Sequence, residues 1–317
     1  MKISVIIPVY NESKNLPIFF DSFYSFIKAN KYDYELIAVD DCSKDNSFSV
    51  LRQYAEKDEK IKAIRFRRNR GQTSAISAGI SLASGDVVIP MDSDMENDPR
   101  DIGILIDKMN EGYTVVSGWR KNRWNGGFKE FVKRKIPSVF ANKLISKITK
   151  VDLHDFGCIM KAYRSDILKE VNLYGEMHRF IPAYAAWNGA KIGEIEVSYK
   201  PRPHGKSNYG MNRIFKVLLD LVVIIFMNKY MNRPMHFFGG IGFVSFFLGL
   251  LAGFASIVLK IFHLRDFVST PLPILSALFI IVGIQLVAMG VISEILMRTY
   301  YESQHKKSYD IAERINI

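Results

Sequence analysis

G-D-V-V-I-P-M-D-S-D-M-E-N-D-P, residues 85–99, is the stretch on which the reading of this chain turns. The apolar, β-branched run at 87–91 is too short for a helix and reads as a buried strand. It ends abruptly in Asp92-Ser93-Asp94. Open α/β sheets bind ligands at the C-terminal ends of their strands, where these two carboxylates fall. On a continuing strand, residues two apart point to one face. Asp92 and Asp94 would then hold one hard divalent cation, which takes oxygen ligands and keeps room for water and substrate phosphate. The plainer reading is a turn that caps the next helix, since Asp and Ser are common in both settings.

Outward from this stretch the pattern repeats. Residues 3–9 read as a first buried strand, left by the loop Pro8-Val9-Tyr10-Asn11-Glu12. An apolar-periodic helix follows at 16–29. A second strand at 34–39 ends in Asp40-Asp41, and Ser43 or Asp45 could cap the helix that runs to about residue 56. A third strand at 61–66 leads into Arg67-Arg68-Asn69-Arg70-Gly71-Gln72 and a small-residue helix at 73–83. Pro99 suits the start of another helix, and 113–117 reads as a fifth strand. Strands alternating with helices predict an α/β domain, a mostly parallel, Rossmann-like sheet covered on both faces. Neither a Walker A loop nor G-x-G-x-x-G occurs, which argues against P-loop NTPases and dinucleotide binders.

The net charge of +11 points to anionic partners: nucleic acid, a membrane surface or phosphorylated substrates. Cys42 and Cys158 make no disulfide framework, so reduced thiols in a cytosolic domain are expected. The N-terminal apolar run meets Pro8, Asn11 and Glu12 too soon for a secretory signal. The C-terminal third differs in kind. Residues 237–259 and 267–293 carry no charge, and each exceeds the roughly 20 residues that cross a bilayer core. Gly239, Gly240, Gly242, Gly249 and Gly253 suit close helix packing in lipid. Basic residues flank the pair outside a short linker at 260–266: Arg213, Lys216, Lys229 and Arg233 before, Arg298, Lys306, Lys307 and Arg314 after. The positive-inside rule puts both termini in the cytoplasm. Residues 215–227 are too short to span and read as an interfacial segment. The expected organisation is a catalytic domain at 1–210, a juxtamembrane region at 211–234, a transmembrane hairpin at 235–298 and a cytoplasmic tail at 299–317.

V-I-I-P-V-Y-N-E at 5–12, V-D-D at 39–41, R-N-R-G-Q at 68–72, D-S-D at 92–94 and G-W-R at 118–120 stand in the order seen in family 2 glycosyltransferases. The chain resembles the membrane-bound branch that moves a sugar from a nucleotide donor to polyprenyl phosphate. D-F-G-C-I-M-K-A-Y-R at 155–164 and R-P-H-G-K-S-N at 202–208 look most like its bacterial undecaprenyl-phosphate members. The resemblance implies a GT-A fold and an inverting, non-processive, metal-dependent transfer. It also implies a UDP-sugar donor, undecaprenyl phosphate as acceptor, and a lipid-linked sugar for cell-envelope glycan modification. Partners are then a nucleotide sugar, the polyprenyl phosphate and the inner membrane, with no nucleic acid, in a homo-oligomer that is a tetramer by resemblance.

The same resemblance assigns residues. Asp92 and Asp94 hold Mg²⁺ or Mn²⁺. Glu96, where many relatives carry Gln, either joins that shell as a third carboxylate or stands beside it. Pro8, Tyr10, Glu12, Asp40, Asp41, Gln72 and Asp92 bind the nucleotide sugar. Arg120 serves catalysis and, with Arg134, Ser138, Arg202 and Lys206, the acceptor phosphate. Arg134 and Ser138, four apart, share a helix face. Lys206 departs from the family, which often has Lys where Asn208 stands. Gly205, Ser207 and Tyr209 suggest a loop that closes over the donor. A phosphate acceptor is ionised near neutral pH and needs no general base, only positive charge and alignment.

His154 and Asp155, adjacent on a strand, would point apart rather than pair. Asp155, Gly157 and Cys158 are expected to line the pocket, with Cys158 structural. His178, His204 and His236 lack metal-ligand spacing. Two other functions stay open. A processive polysaccharide synthase would carry Q-x-x-R-W; here Trp124 follows Arg123, but position 120 is Arg. A non-catalytic membrane scaffold is opposed by the presence of Glu12, Asp92, Asp94 and Arg134.

Overall fold

The computed structural model describes residues 1–121, 123, 136–169, 177–204, 226, 230 and 233–303. The chain divides into two compact units, Met1–Leu221 and Val222–Ile317.

In the first unit strands and helices alternate: β1 (Lys2–Val9), α1 (Leu16–Asn30), β2 (Asp33–Asp40), α2 (Ser47–Lys57), β3 (Ile61–Arg65), α3 (Gln72–Leu82) and β4 (Val87–Pro90). A 3₁₀ turn at Pro99–Asp101 opens α4 (Ile102–Asn110), followed by β5 (Val115–Trp119) and α5 (Ile136–Thr149). Then come β6 (Lys161–Arg164), α6 (Ser165–Lys169), a 3₁₀ turn at Met177–Phe180, α7 (Ile181–Trp187) and β7 (Ile192–Glu196). The sheet order is β3-β2-β1-β4-β6-β5-β7. Strands β1 to β4 are parallel, and β6 alone runs against its neighbours β4 and β5. The sheet is thus of the expected mostly parallel kind. Its last two strands carry too little apolar periodicity to stand out in the sequence: K-A-Y-R and I-G-E-I-E.

The pleat of β1 divides the core. Ile3, Val5 and Ile7 join a cluster with Phe19, Phe20 and Phe23 of α1 and Leu105 and Ile106 of α4. Ile6 points the other way, to Ala75, Ile76 and Ile80 of α3. Each fully buried side chain of this size contributes about 1.5–3 kcal/mol. Helix α3 is rich in small residues because it lies close on the sheet. A Cβ on Gly79 would stand 2.3 Å from the Ile6 side chain.

Three local expectations are corrected. The strand at 87–91 ends at Pro90; Met91 still donates to the Ile6 carbonyl at 3.0 Å, and the chain then turns away. The fifth strand is shifted to Val115–Trp119. Helix α2 begins at Ser47, without a side-chain bond from its N-cap Asn46. Asp45 instead accepts from the Ser47 N–H at 3.0 Å, while Ser43 turns its own N–H to Asp40.

In the second unit, α8 (Pro234–Ile261) and α9 (Leu272–Ser303) pack antiparallel. Both are long and apolar enough to cross a membrane, as the charge-free runs suggested. Cβ atoms added to Gly242 and Gly249 would meet α9 backbone at 2.8–3.0 Å, so these glycines set the close approach. Ser245 and Ser276 add hydrogen bonds across the pair, each 2.8 Å, to the carbonyls of Phe279 and Gly249. Gly240 meets nothing within 4 Å and faces outward, and Gly239 meets only Met235 of its own helix. Phe243, Phe247, Leu251 and Phe254 are exposed. An apolar exterior of this kind suits lipid. The interfacial segment expected at 215–227 lies outside the described residues, Phe226 excepted.

Candidate active site

The loops leaving β1, β2, β3 and β4 meet at the C-terminal edge of the sheet around a cavity of about 860 Å³. Pro8, Tyr10, Glu12, Asp41, Gln72, Asp92, Asp94, Arg120 and Arg202 all lie on its wall.

Each loop is tied to the next. Asn11, in the left-handed region at φ 59°, donates its N–H to Ser43 Oγ at 2.9 Å and accepts from the Lys44 N–H at 2.8 Å. The Glu12 N–H reaches Ser47 Oγ at 2.8 Å. These bonds hold the β1 loop open beside the β2 loop, with Tyr10 41% exposed at the rim. Burial pushes the Glu12 carboxyl above its ordinary value. The bond from Asn15 Nδ2, 2.5 Å, opposes this, and Asp94 adds to it.

The two aspartates that end β2 divide the work. Asp41 reaches the cavity, but its oxygens accept from the N–H groups of Arg70 and Gly71 at 2.6 and 2.8 Å. It therefore fixes the R-N-R-G loop. Asp40 is fully buried, pairs with Arg65 Nε at 3.1 Å and takes the Ser43 N–H. It is not on the cavity wall, unlike Asp41. A side chain at the end of a strand can point into the sheet's own layer as easily as into the cleft.

Gly71, at φ 86°, precedes α3, and Gln72 in its first turn donates to Asp92 Oδ1 at 2.6 Å. Past Pro90 the chain is no longer a strand, so Asp92 and Asp94 do not converge by pleat. They are brought together by a turn in which the Glu96 N–H bonds Asp94 Oδ1 at 2.9 Å and Met95 takes φ 62°. Arg202 Nη2 lies 2.9 Å from Asp94 Oδ2, and its Nε donates to Glu96 Oε1 at 2.7 Å. Arg120 Nη1 stands 3.7 Å from Glu96 Oε2. Glu96 is therefore turned onto two arginines and is not on the cavity wall, which favours the second of its two expected places, beside the metal shell. Among the described residues no three His, Cys, Asp or Glu side chains converge as a ready-made metal site.

Asp92, Asp94 and Glu96 share Arg120 and Arg202, and Arg120 is also gripped by Asp155 through Nε at 2.8 Å and Nη2 at 3.2 Å. Burial, then Asp94 and Glu96, pushes the Asp92 carboxyl up to about 8. Asp94 is raised by burial, with Arg202 opposing. Asp155 goes the other way: burial would raise it, but Arg120 pulls it down to about 2.

Arg202 comes from the segment after β7, which is laced to the β4–α4 loop. The Ser198 N–H bonds Asp101 Oδ2 at 2.6 Å, Asn97 Nδ2 bonds the Ser198 carbonyl at 3.2 Å, and the Lys200 N–H bonds the Glu96 carbonyl at 3.0 Å. Ser138 sits in the first turn of α5 and is not on the cavity wall. Arg134, Lys206 and the loop residues Gly205, Ser207 and Tyr209 lie outside the described residues. Buried Cys158 has its thiol pushed up by that burial, which suits a structural role.

Sequence reasoning gave no role to His178. It reaches the cavity with Nδ1 2.7 Å from Thr73 Oγ1, a contact across 105 positions that no local spacing signals.

Comparison with known proteins adds the following. The model of the family described as Glycosyl transferase family 2 matches residues 4–171. The dodecaprenyl-phosphate galacturonate synthase of Rhizobium johnstonii is 36% identical over 99% of this chain and 93% of its own. The undecaprenyl-phosphate 4-deoxy-4-formamido-L-arabinose transferase of Proteus mirabilis is 34% identical over 100% and 94%. Among solved structures, glucosyl-3-phosphoglycerate synthase from Mycobacterium tuberculosis, in complex with Mn²⁺, UDP-glucose and phosphoglyceric acid, matches with TM-score 0.55. At 15% identity, over 72% of this chain and 79% of that one, it shares the fold.

Proposed function

This chain belongs to glycosyl transferase family 2, and from that premise we propose that it transfers a sugar from a nucleotide-sugar donor to polyprenyl phosphate. The observation that carries the reading is the end-to-end likeness to two enzymes named for a prenyl phosphate and a sugar. Within it, the donor is a UDP-sugar and the acceptor undecaprenyl phosphate, as the family resemblance implies. The product is a lipid-linked sugar for the cell envelope.

The chemistry of the cavity supports a metal-assisted reaction. Asp92 and Asp94 would hold Mg²⁺ or Mn²⁺. Their donors are all oxygen, and a bound cation would relieve the crowding by Asp94 and Glu96 that helps lift Asp92 to about 8. A hard dication needs only one or two carboxylates when substrate phosphates complete its shell. Such an ion, when bound, stabilises the departing diphosphate as a Lewis acid.

The protein's own groups do the rest. Tyr10 offers an exposed ring face to the base, and Glu12 an acceptor to the ribose. Gln72 orients Asp92. Arg120 and Arg202 supply fixed positive charge where two anions must approach, and Arg134, Ser138 and Lys206 are assigned to the acceptor phosphate. That phosphate oxygen is its own nucleophile, so one direct displacement suffices. The transfer is then inverting and ends after one sugar, which makes it non-processive. Helices α8 and α9 would anchor the enzyme in the plasma membrane with both termini cytoplasmic.

The deciding experiment incubates membranes containing the chain with a panel of nucleotide sugars and undecaprenyl phosphate. A lipid product heavier by one sugar residue is expected in the mass spectrum. Absence of any sugar–lipid product across the panel would overturn the proposal.

A further inference from the structure

Lys161 opens β6 and is 1% exposed, an unusual place for an ammonium group. Its Nζ donates to the backbone carbonyls of Phe156, at 3.3 Å, and of Cys158. Both carbonyls belong to the turn at 154–158 that carries Asp155. Glu194 of β7 grips the start of the same turn. Its Oε1 accepts from the N–H groups of His154 and Asp155 at 2.8 and 3.3 Å, and its Oε2 lies 2.7 Å from His154 Nδ1. One side chain thus holds the turn by its carbonyls and another by its amides. Between them sits the carboxylate that grips Arg120 in a two-pronged bond.

Filling space does not account for Lys161. Methionine has similar bulk, and a buried ammonium carries a desolvation cost that its hydrogen bonds and the nearby Asp155 and Glu194 carboxylates offset. What the bonds accomplish is to fix a turn without regular secondary structure. We propose that Lys161 and Glu194 form a two-sided clamp on residues 154–158, and that both are positioning residues for Asp155, which grips Arg120 of the cavity wall. Neither touches a reacting atom. They act through Asp155, which sets where the Arg120 guanidinium stands. Displacement of such a group by about 1 Å costs on the order of 100-fold in rate.

The inference rests on the proposed transferase reaction for its kinetic test alone. With the full chain in detergent, hydrogen–deuterium exchange of peptides covering 154–158 tests the clamp without turnover. Lys161→Met should speed exchange there by roughly tenfold or more and leave β1 unchanged. Unaltered exchange at 154–158 would overturn the clamp.

In the transfer assay Lys161→Met should lower kcat by about 10- to 100-fold, with the affinity for nucleoside diphosphate and Mg²⁺ unchanged. In an Asp155→Asn background the same change should cost less than about threefold, because the pair it serves is already lost. Additive effects, or an equal loss of nucleotide affinity, would overturn the positioning role. Glu194→Gln keeps an acceptor oxygen and should stay near the unaltered rate, whereas Glu194→Ala should not. If Lys161→Met does not fold, the Glu194 pair decides by the same two readings. An unaltered protein that transfers nothing sinks the proposed function, and the exchange result still decides the clamp.

Discussion

At the N-terminal end of the parallel strands Glu35 lies buried on β2. It accepts from Ser4 Oγ at 2.5 Å, from the Ser84 N–H at 2.6 Å and from Lys62 Nζ at 2.7 Å. Burial alone would raise its carboxyl, but the bonds from Lys62, Ser4 and Ser84 hold it down at about 2. At the C-terminal end Asp92 is half-buried at the cavity wall. Its neighbours are Asp94 and Glu96, and it is pushed up to about 8. One sheet therefore carries two kinds of acid. A carboxylate whose lone pairs are used within the protein holds strands together. A crowded carboxylate with charge left over is stable only with a proton or a cation, which a ligand site can provide.

The comparison can be broken most directly by mutation at the crowded end. Asp92→Asn should cut transfer by roughly 100-fold or more, since a metal's transition-state stabilisation is worth several kcal/mol. EDTA should abolish the reaction and Mg²⁺ or Mn²⁺ restore it. The melting temperature of the ligand-free protein should hold or rise, because a repelling charge is gone. A fall in melting temperature with activity retained would reverse the assignment of the two ends.

Glu35→Ala should do the opposite. It strands Ser4, the Ser84 N–H and Lys62 and should destabilise by about 2 kcal/mol, the lower part of the range for a buried charge because Lys62 is partly exposed. Denaturant melts measure that loss, and kcat at temperatures below the melt should not change.

The pH dependence of stability should have opposite signs at the two ends. Glu35, lowered from 4.5 to about 2, contributes stability above about 4.5 that is lost as pH falls toward about 2. Asp92, raised from 3.8 to about 8, contributes stability below about 3.8 that is lost as pH rises toward about 8 in the ligand-free protein. Glu35→Gln should flatten the acid limb, and Asp92→Asn the limb between about 4 and about 8. Melting curves across this range, with each variant, check both slopes. Lys62→Met should have the smallest effect, about 0.5–1 kcal/mol, because its side chain is 44% exposed and the pair is screened by solvent.

Asp92 and Asp94 were legible because they stand just past an apolar run, whereas Pro8, Tyr10, Glu12, Gln72 and Arg120 were legible through the family resemblance; all seven lie round one cavity. In a parallel sheet all such points lie on one edge. For Asp40, an end-of-strand position does not say whether a carboxylate faces the cleft or Arg65. Glu96 was left open between the metal shell and its neighbourhood. Its partners, Arg120 and Arg202, lie 24 and 106 positions away, beyond any local pattern. Nothing in K-A-Y-R tells a buried lysine from an exposed one, so Lys161 carried no signal in the sequence.

By itself the sequence determined the alternation of strand and helix, the edge of the sheet where chemistry gathers, and two apolar helices at the C-terminus. Each of these rests on local periodicity and run length, which the burial of apolar surface enforces residue by residue. The tertiary structure alone decided which carboxylates are satisfied and which are left crowded. That depends on distances of a few ångströms between loops joined only through strand register and core packing. Electrostatic energy changes steeply over such distances in a buried site, so two aspartates with like neighbours in sequence take different roles.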